Sequence, residues 1–185
     1  RGQYNQYIDA VVKKVEMMEY GDCSFTVHVN HEHQARMTRM ALEEVTTPLI
    51  LFCEHDTSMI GEIPFDDLCE VVLKSEINHL RFNIFERIPS EHNYLMLDVV
   101  QYPRHKPVKI LDDRNDSPVE PRSPDIILTR TIQYSQRPHI SKTQWYRDMI
   151  NDFFKPDAKT MIEDVMHSVV QVAYDSMKKD TFGLA

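Results

Sequence analysis

The strongest constraint on this chain is the run Leu49-Ile50-Leu51-Phe52-Cys53, bounded by Thr46-Thr47-Pro48 before it and Glu54-His55-Asp56 after it. A run this short, apolar at every position, predicts a strand covered on both faces, and such strands are central in sheets flanked by helices. Polar residues just past the carboxyl end of a buried strand are where open α/β sheets place ligands. Glu54 and Asp56 stand one residue apart at that point. Two carboxylates on a rigid strand end can share a crevice and hold a hard divalent cation. A bare Glu-x-Asp is more often a pair of solvated loop acids; the preceding strand favours the site.

The rest of the chain alternates between helical and strand patterns. Tyr4, Tyr7, Ile8, Val11, Val12 and Val15 recur at helical spacing, and Gly21-Asp22 ends that helix. Ser24 to Val29 predicts a short strand. A helix follows from about His31 to Glu44 with Asn30 as its cap. Pro64 to Lys74 predicts a helix, and His79 to Phe85 and Tyr94 to Val100 predict strands. Pro103 to Pro124 is rich in Pro, Asp and Arg and predicts a loop. Ile126 to Tyr134 predicts a strand, Ser141 to Phe154 a helix capped by Ser141, and Thr160 to Met177 a last helix. The expected fold is α/β, with a mixed central sheet flanked by helices in a single domain over residues 1–185.

Composition removes several function classes. Four glycines among 185 residues leave no Gly-rich phosphate loop and no dinucleotide fingerprint. A net charge of −8 repels nucleic-acid phosphates, so nucleic acid is not an expected partner. Cys23, Cys53 and Cys69 are odd in number and lack CxxC spacing, which fits a reducing, cytoplasmic setting better than a disulfide framework. No apolar run approaches the length of a membrane span.

The segment from Ala41 through the buried strand to Glu54-His55-Asp56, with Ile63-Pro64-Phe65-Asp66-Asp67-Leu68 after it, resembles the core of family 2 nucleotide-sugar glycosyltransferases. These have the GT-A, Rossmann-like fold and an acidic "DxD" motif. Ile162-Glu163-Asp164 is similar to the family's "xED" motif at a helix start. The resemblance covers roughly Ser24 to His167. It implies Asp56 as a ligand of Mn²⁺ or Mg²⁺, Glu54 as support for metal and donor, and Asp164 as the catalytic base with Glu163 beside it. The first acid of the motif is Glu rather than Asp. The family's opening nucleotide-binding strand has no counterpart ahead of Tyr4, so the chain is expected to lack it. The partners implied are a UDP- or other nucleoside-diphosphate sugar and a glycan or other hydroxyl acceptor.

Other residues fill out the expected site. Thr160-Met161-Ile162-Glu163 also reads as a capping box, which competes for Glu163. Arg81, in an apolar strand context, needs a carboxylate or a diphosphate as partner. His28, His31 and His33 lack a cysteine to complete a zinc set, and His33 and Gln34 are expected on the acceptor side. Gln136, in the polar run Gln133 to His139, and the sole tryptophan, Trp145, are expected to meet the acceptor sugar; core packing is the plain alternative for Trp145. Competing functions are a catalytically silent glycan-binding module on the same fold, a sugar transferase acting on modified DNA bases, and a His-cluster metal hydrolase.

Overall fold

The computed structural model describes residues 2–17, 23, 26–28, 32–54, 57, 63–82, 90–102, 125–177 and 181–185. The chain divides into two compact units, Arg1–Glu32 and His33–Ala185, where the pattern predicted one domain. In the first unit, α1 (Gly2–Glu16) is the expected amphipathic helix. Lys13 and Lys14 occupy its last turn, where cations oppose the negative end of the helix dipole. None of its residues is buried. Of the predicted strand Ser24 to Val29, residues 26–28 are described and form no strand; the rest of it, Asn30, His31 and the Pro103 to Pro124 loop lie outside the described residues.

The second unit is mixed α/β, but in place of the expected mixed central sheet the described residues form two small antiparallel sheets. The main sheet has β5 (His139–Lys142) in the middle, β1 (Leu49–Phe52) on one side and β2 (His79–Arg81) on the other. Both neighbours run antiparallel to β5, with Phe52 and Arg81 each opposite His139. β3 (Met96–Tyr102) pairs with β4 (Ile126–Thr131), and a 3-10 turn, Ser90–Leu95, occupies the start of the strand predicted at Tyr94. The stretch 183–185 joins the two sheets. Asn78 and His79 donate backbone N–H groups to the Gly183 carbonyl at 2.8 and 3.2 Å, and Arg81 donates to Ala185 at 2.8 Å. On its other side Thr131 donates to the Leu184 carbonyl at 3.1 Å.

Helices cover both faces of the main sheet. On one face lie α2 (Gln34–Glu44), α4 (Thr143–Phe153) and α5 (Ile162–Met177), whose Ala35, Leu42, Met149, Ile150, Ile162, Met166 and Val170 share a core with Tyr134 and Tyr146. The α5 stripe Ile162, Met166 and Val170 recurs every fourth residue, so one side of the helix is buried along its length. On the other face, α3 (Phe65–Lys74) packs Leu68, Val71 and Val72 against Ile77, Leu80, Ile126 and Ile140. Each of the larger aliphatic side chains stabilises the fold by about 1.5–3 kcal/mol. The helices α2 and α4 also bond each other's ends. Arg39 donates to the carbonyls of Ile150 and Phe154 at 3.0 and 2.7 Å, and Arg147 donates to those of Leu42 and Val45. Each guanidinium thereby satisfies carbonyls that a helix leaves open at its C-terminus.

Several expectations are corrected. Among the described residues β1 is an edge strand, not a central one: Leu51 is 47% exposed and Cys53 is exposed. The physical reason is that β1 pairs only with β5 among these residues, leaving its other side without a strand, although Leu49 still packs against the α3 cluster. Ser141 is not a helix cap. It is fully buried in β5, and α4 starts after it with Lys142 at the cap position. No helix of the described residues is long and apolar enough to cross a membrane.

Gly183 has φ +63°, a left-handed conformation, and a Cβ there would run into the Glu76 carbonyl oxygen. Gly183→Ala is therefore expected to lower stability by at least about 1 kcal/mol, from strain alone. Gly2→Ala, where a Cβ meets nothing, should change it by less than about 0.5 kcal/mol. Urea unfolding of the two variants makes the comparison. An unchanged midpoint for Gly183→Ala would mean that 183–185 is not part of the cooperative fold.

Candidate functional site

Because β1 and β2 both run against β5, their carboxyl ends lie at the same edge of the sheet, and the loop leading into β5 opens there too. The candidate residues gather at this edge. Glu54 lies two residues beyond β1. Its Oε1 accepts a hydrogen bond from Nε2 of Gln34, the first residue of α2, at 3.3 Å. Oε1 of the same Gln34 side chain accepts the backbone N–H of Ile162, the first residue of α5, at 2.9 Å. The two helix starts are tied a second time by Ala35 N–H to the Thr160 carbonyl, at 3.3 Å.

Glu163, half-buried in the first turn of α5, accepts the backbone N–H of Gln136 through Oε2 at 3.1 Å. The Gln136 side chain is 2% exposed and forms a closed ring of hydrogen bonds with two buried tyrosines. The Tyr134 hydroxyl donates to Oε1 of Gln136 at 3.1 Å, and Nε2 of Gln136 donates to the Tyr146 hydroxyl at 2.9 Å. The two hydroxyls are 3.2 Å apart, within hydrogen-bond distance of each other. Burial pushes Tyr146 up to about 12, with the charge of Glu54 adding to it and the Tyr134 and Gln136 hydrogen bonds opposing. Burial, with Tyr146 and Glu163, raises Tyr134 well above the usual tyrosine range. Both phenols stay protonated at neutral pH, which keeps the ring intact.

Arg81 ends β2 at the same edge. Nη1 and Nη2 both donate to Oε1 of Gln133 at 3.2 Å. Among the described residues no carboxylate lies in ion-pair contact with it. Burial lowers its pKa, the nearby charge of Arg137 lowers it further, and Glu163 opposes both. The site thus combines a carboxylate held by an amide, a second carboxylate held by a backbone N–H, and a partly desolvated cation with a neutral partner.

The remaining candidates are placed as follows. Asp164 is exposed and makes no hydrogen bond or ion pair among the described residues, since helical geometry turns it about 100° from Glu163. The predicted capping box does not form, because α5 begins at Ile162 and Thr160 falls outside the cap position. Gln34 has both ends of its amide engaged with protein, and the Gln136 side chain is in the core, so neither amide is presented to an acceptor. Trp145 packs against the core, with ring centroids 5.8 Å from His79 and 6.1 Å from Tyr146. His33 precedes α2 at φ 20° and its side chain does not cap the helix. Asp56 and His55 lie outside the described residues. Among the described residues no three His, Cys, Asp or Glu side chains converge as a metal set; Glu54 is the one carboxylate of the expected metal motif that is described.

Beneath the site is a buried histidine pair that the sequence pattern did not single out. The His79 and His139 rings lie 4.2 Å apart, with Phe52 and Tyr146 stacked on His139 and Tyr134 on His79. His139 Nδ1 donates to the Arg137 carbonyl at 2.7 Å, and His79 Nδ1 meets the Ser141 hydroxyl at 2.8 Å. Among the described residues neither Nε2 has a hydrogen-bond partner of good geometry, although the Ser135 backbone lies near enough to His79 to oppose the lowering of its pKa. Period-two alternation of His139 with Ser141 was the available signal. The chain matches no family model, no curated protein and no solved structure.

Burial holds His139 at about 4, against the Arg137 carbonyl bond that raises it; burial, His139 and Arg81 hold His79 well below the usual range. Between about 4 and the unfolded value near 6.5, the unfolded chain binds a proton that the folded chain does not. Stability therefore rises with pH across that window and is lost as pH falls, by about 3 kcal/mol for His139. Urea midpoints at pH 7, 6 and 5 should fall steadily for the wild type and less steeply for His139→Phe. Parallel slopes would show that His139 does not titrate with folding.

Proposed function

We propose that this chain is a metal-dependent, inverting glycosyltransferase on a GT-A-like fold, moving a hexosyl or pentosyl unit from a nucleotide-sugar donor to a glycan or other hydroxyl acceptor. The observation that carries the proposal is that Glu54, just beyond β1, and Arg81, ending β2, stand at the same end of the sheet as the loop whose Gln136 N–H bonds Glu163. In open, mostly parallel α/β sheets ligands bind beyond the carboxyl ends of the strands, and β1 and β2 end here, although β5 between them runs the other way. Among the described residues the Arg81 guanidinium hydrogen-bonds only the neutral oxygen of Gln133, with the charge of Glu163 nearby, and such a cation favours an anion such as a diphosphate. Glu54, with Asp56, would hold Mn²⁺ or Mg²⁺, which neutralises charge on a departing diphosphate. The acceptor hydroxyl attacks the anomeric carbon opposite the leaving group. The new carbon–oxygen bond forms, the bond to the diphosphate oxygen breaks with its electron pair, and the hydroxyl proton passes to a carboxylate. By the resemblance that base is Asp164, while Glu163 ties α5 to the loop before β5.

A catalytically silent glycan-binding module is the second reading, and the outward position of Asp164 favours it. Nucleotide release from a panel of UDP-sugars with Mn²⁺ separates the two. The wild type is expected to release UDP, and Asp164→Asn to lose about two to four orders of magnitude in turnover with donor binding unchanged. Glu163→Gln should lose less, and Asp56→Ala should abolish metal-dependent binding of a nucleoside diphosphate in calorimetry. Glycan binding without nucleotide release by the wild type would establish the silent module instead.

A further inference from the structure

We infer that Gln34 is a positioning residue that sets where the Glu54 carboxylate stands relative to the start of α5 and its Glu163. The inference rests on the reading of Glu54 as a donor-side and metal-side carboxylate. A glutamine amide has a donor end and an acceptor end about 2 Å apart, in one rigid plane. In Gln34 the donor end faces Glu54 Oε1 and the acceptor end faces the Ile162 N–H. The same side chain therefore joins the strand end that carries one acid to the helix start that carries the other. Glu54 and Ile162 are 108 residues apart in sequence, and this amide is a direct link between them.

The backbone around Gln34 fixes its direction. It is the first residue of α2, behind His33 at φ 20°, and the next residue, Ala35, is 1% exposed and bonded to the Thr160 carbonyl. The side chain cannot swing away without breaking two bonds made by opposite ends of one group. An apolar residue of equal length would keep the packing and lose both bonds. Groups that orient a ligating carboxylate from behind typically change metal affinity by about tenfold to a hundredfold when removed.

The test is a double-mutant cycle read by calorimetry with Mn²⁺ and UDP as the probe, on the whole chain. The four proteins are the wild type, Gln34→Met, Glu54→Gln and the double variant. Gln34→Met is expected to weaken binding about tenfold or more, and to add little once Glu54 is already Gln, because the amide acts through that carboxylate. A merely structural role would lower the thermal midpoint and add its loss in full to that of Glu54→Gln. Equal affinity of the wild type and Gln34→Met, or full additivity, overturns the positioning role while the reading of the site stands. No binding by the wild type overturns that reading and this inference together.

Discussion

The main sheet depends on β5. Its four residues pair with β1 along one edge and with β2 along the other, so the two flanking strands meet only through it. Three of the four, His139, Ile140 and Ser141, are buried. A buried polar group costs several kcal/mol unless another group answers it. One answer is local, the Arg137 carbonyl for His139, and two come from distant parts of the chain: His79 for Ser141, and the Ser75 carbonyl for Lys142 Nζ at 2.8 Å. Among the described residues the two imidazole Nε2 atoms receive none of good geometry, and this ties the fold to the neutral form of both rings.

The direction of β5 also decides where chemistry can occur. Running against β1 and β2, it brings the loop before it to their carboxyl ends. That loop then supplies the backbone N–H of Gln136 to Glu163 and the amide oxygen of Gln133 to Arg81. The Tyr134–Gln136–Tyr146 ring holds the loop from inside the core, so the position of Glu163 is set by buried groups with little freedom. Packing and site geometry are the same contacts here, and the buried ring is what separates Glu54 on the Tyr146 side from Glu163 on the Tyr134 side.

Helices with clear apolar periodicity were legible in the sequence: α1, α2, α3 and α5 lie close to where spacing placed them, as does β1. The strand β5 was not. His139-Ile140-Ser141-Lys142 has one strongly apolar residue, and Ser141 before an apolar-periodic stretch looks like a cap. Its burial is set by partners 60 or more residues away in sequence, which local patterning does not contain. The same cause explains Gln136: a polar run between elements reads as a surface loop, yet two tyrosines draw its amide into the core. At the site, Glu54, Arg81, Gln34 and Glu163 were singled out by residue type and context, but what each touches came only from tertiary geometry. The apolar run before Glu54 was expected to be covered on both faces, and β1 is not, since Leu51 is 47% exposed.

The distribution of charge around the arginines argues for a ligand at that edge. Arg130, on the β3–β4 pair, bonds Asp98 through Nε and Nη2 at 2.6 and 2.7 Å and Glu76 through Nη1 at 3.1 Å. Both of those carboxylates are largely exposed, where ion pairs contribute little to stability. Arg81 is desolvated enough for its pKa to fall, so an unpaired charge there costs more, yet its contact is the neutral oxygen of Gln133. The chain carries 29 acidic residues against 21 basic ones, so carboxylates are not scarce. Selection for stability alone would pair the more buried arginine first. Among the described residues the Arg81 guanidinium contacts a neutral oxygen with Arg137 and Glu163 nearby, and under the proposed function an anion would complete this arrangement.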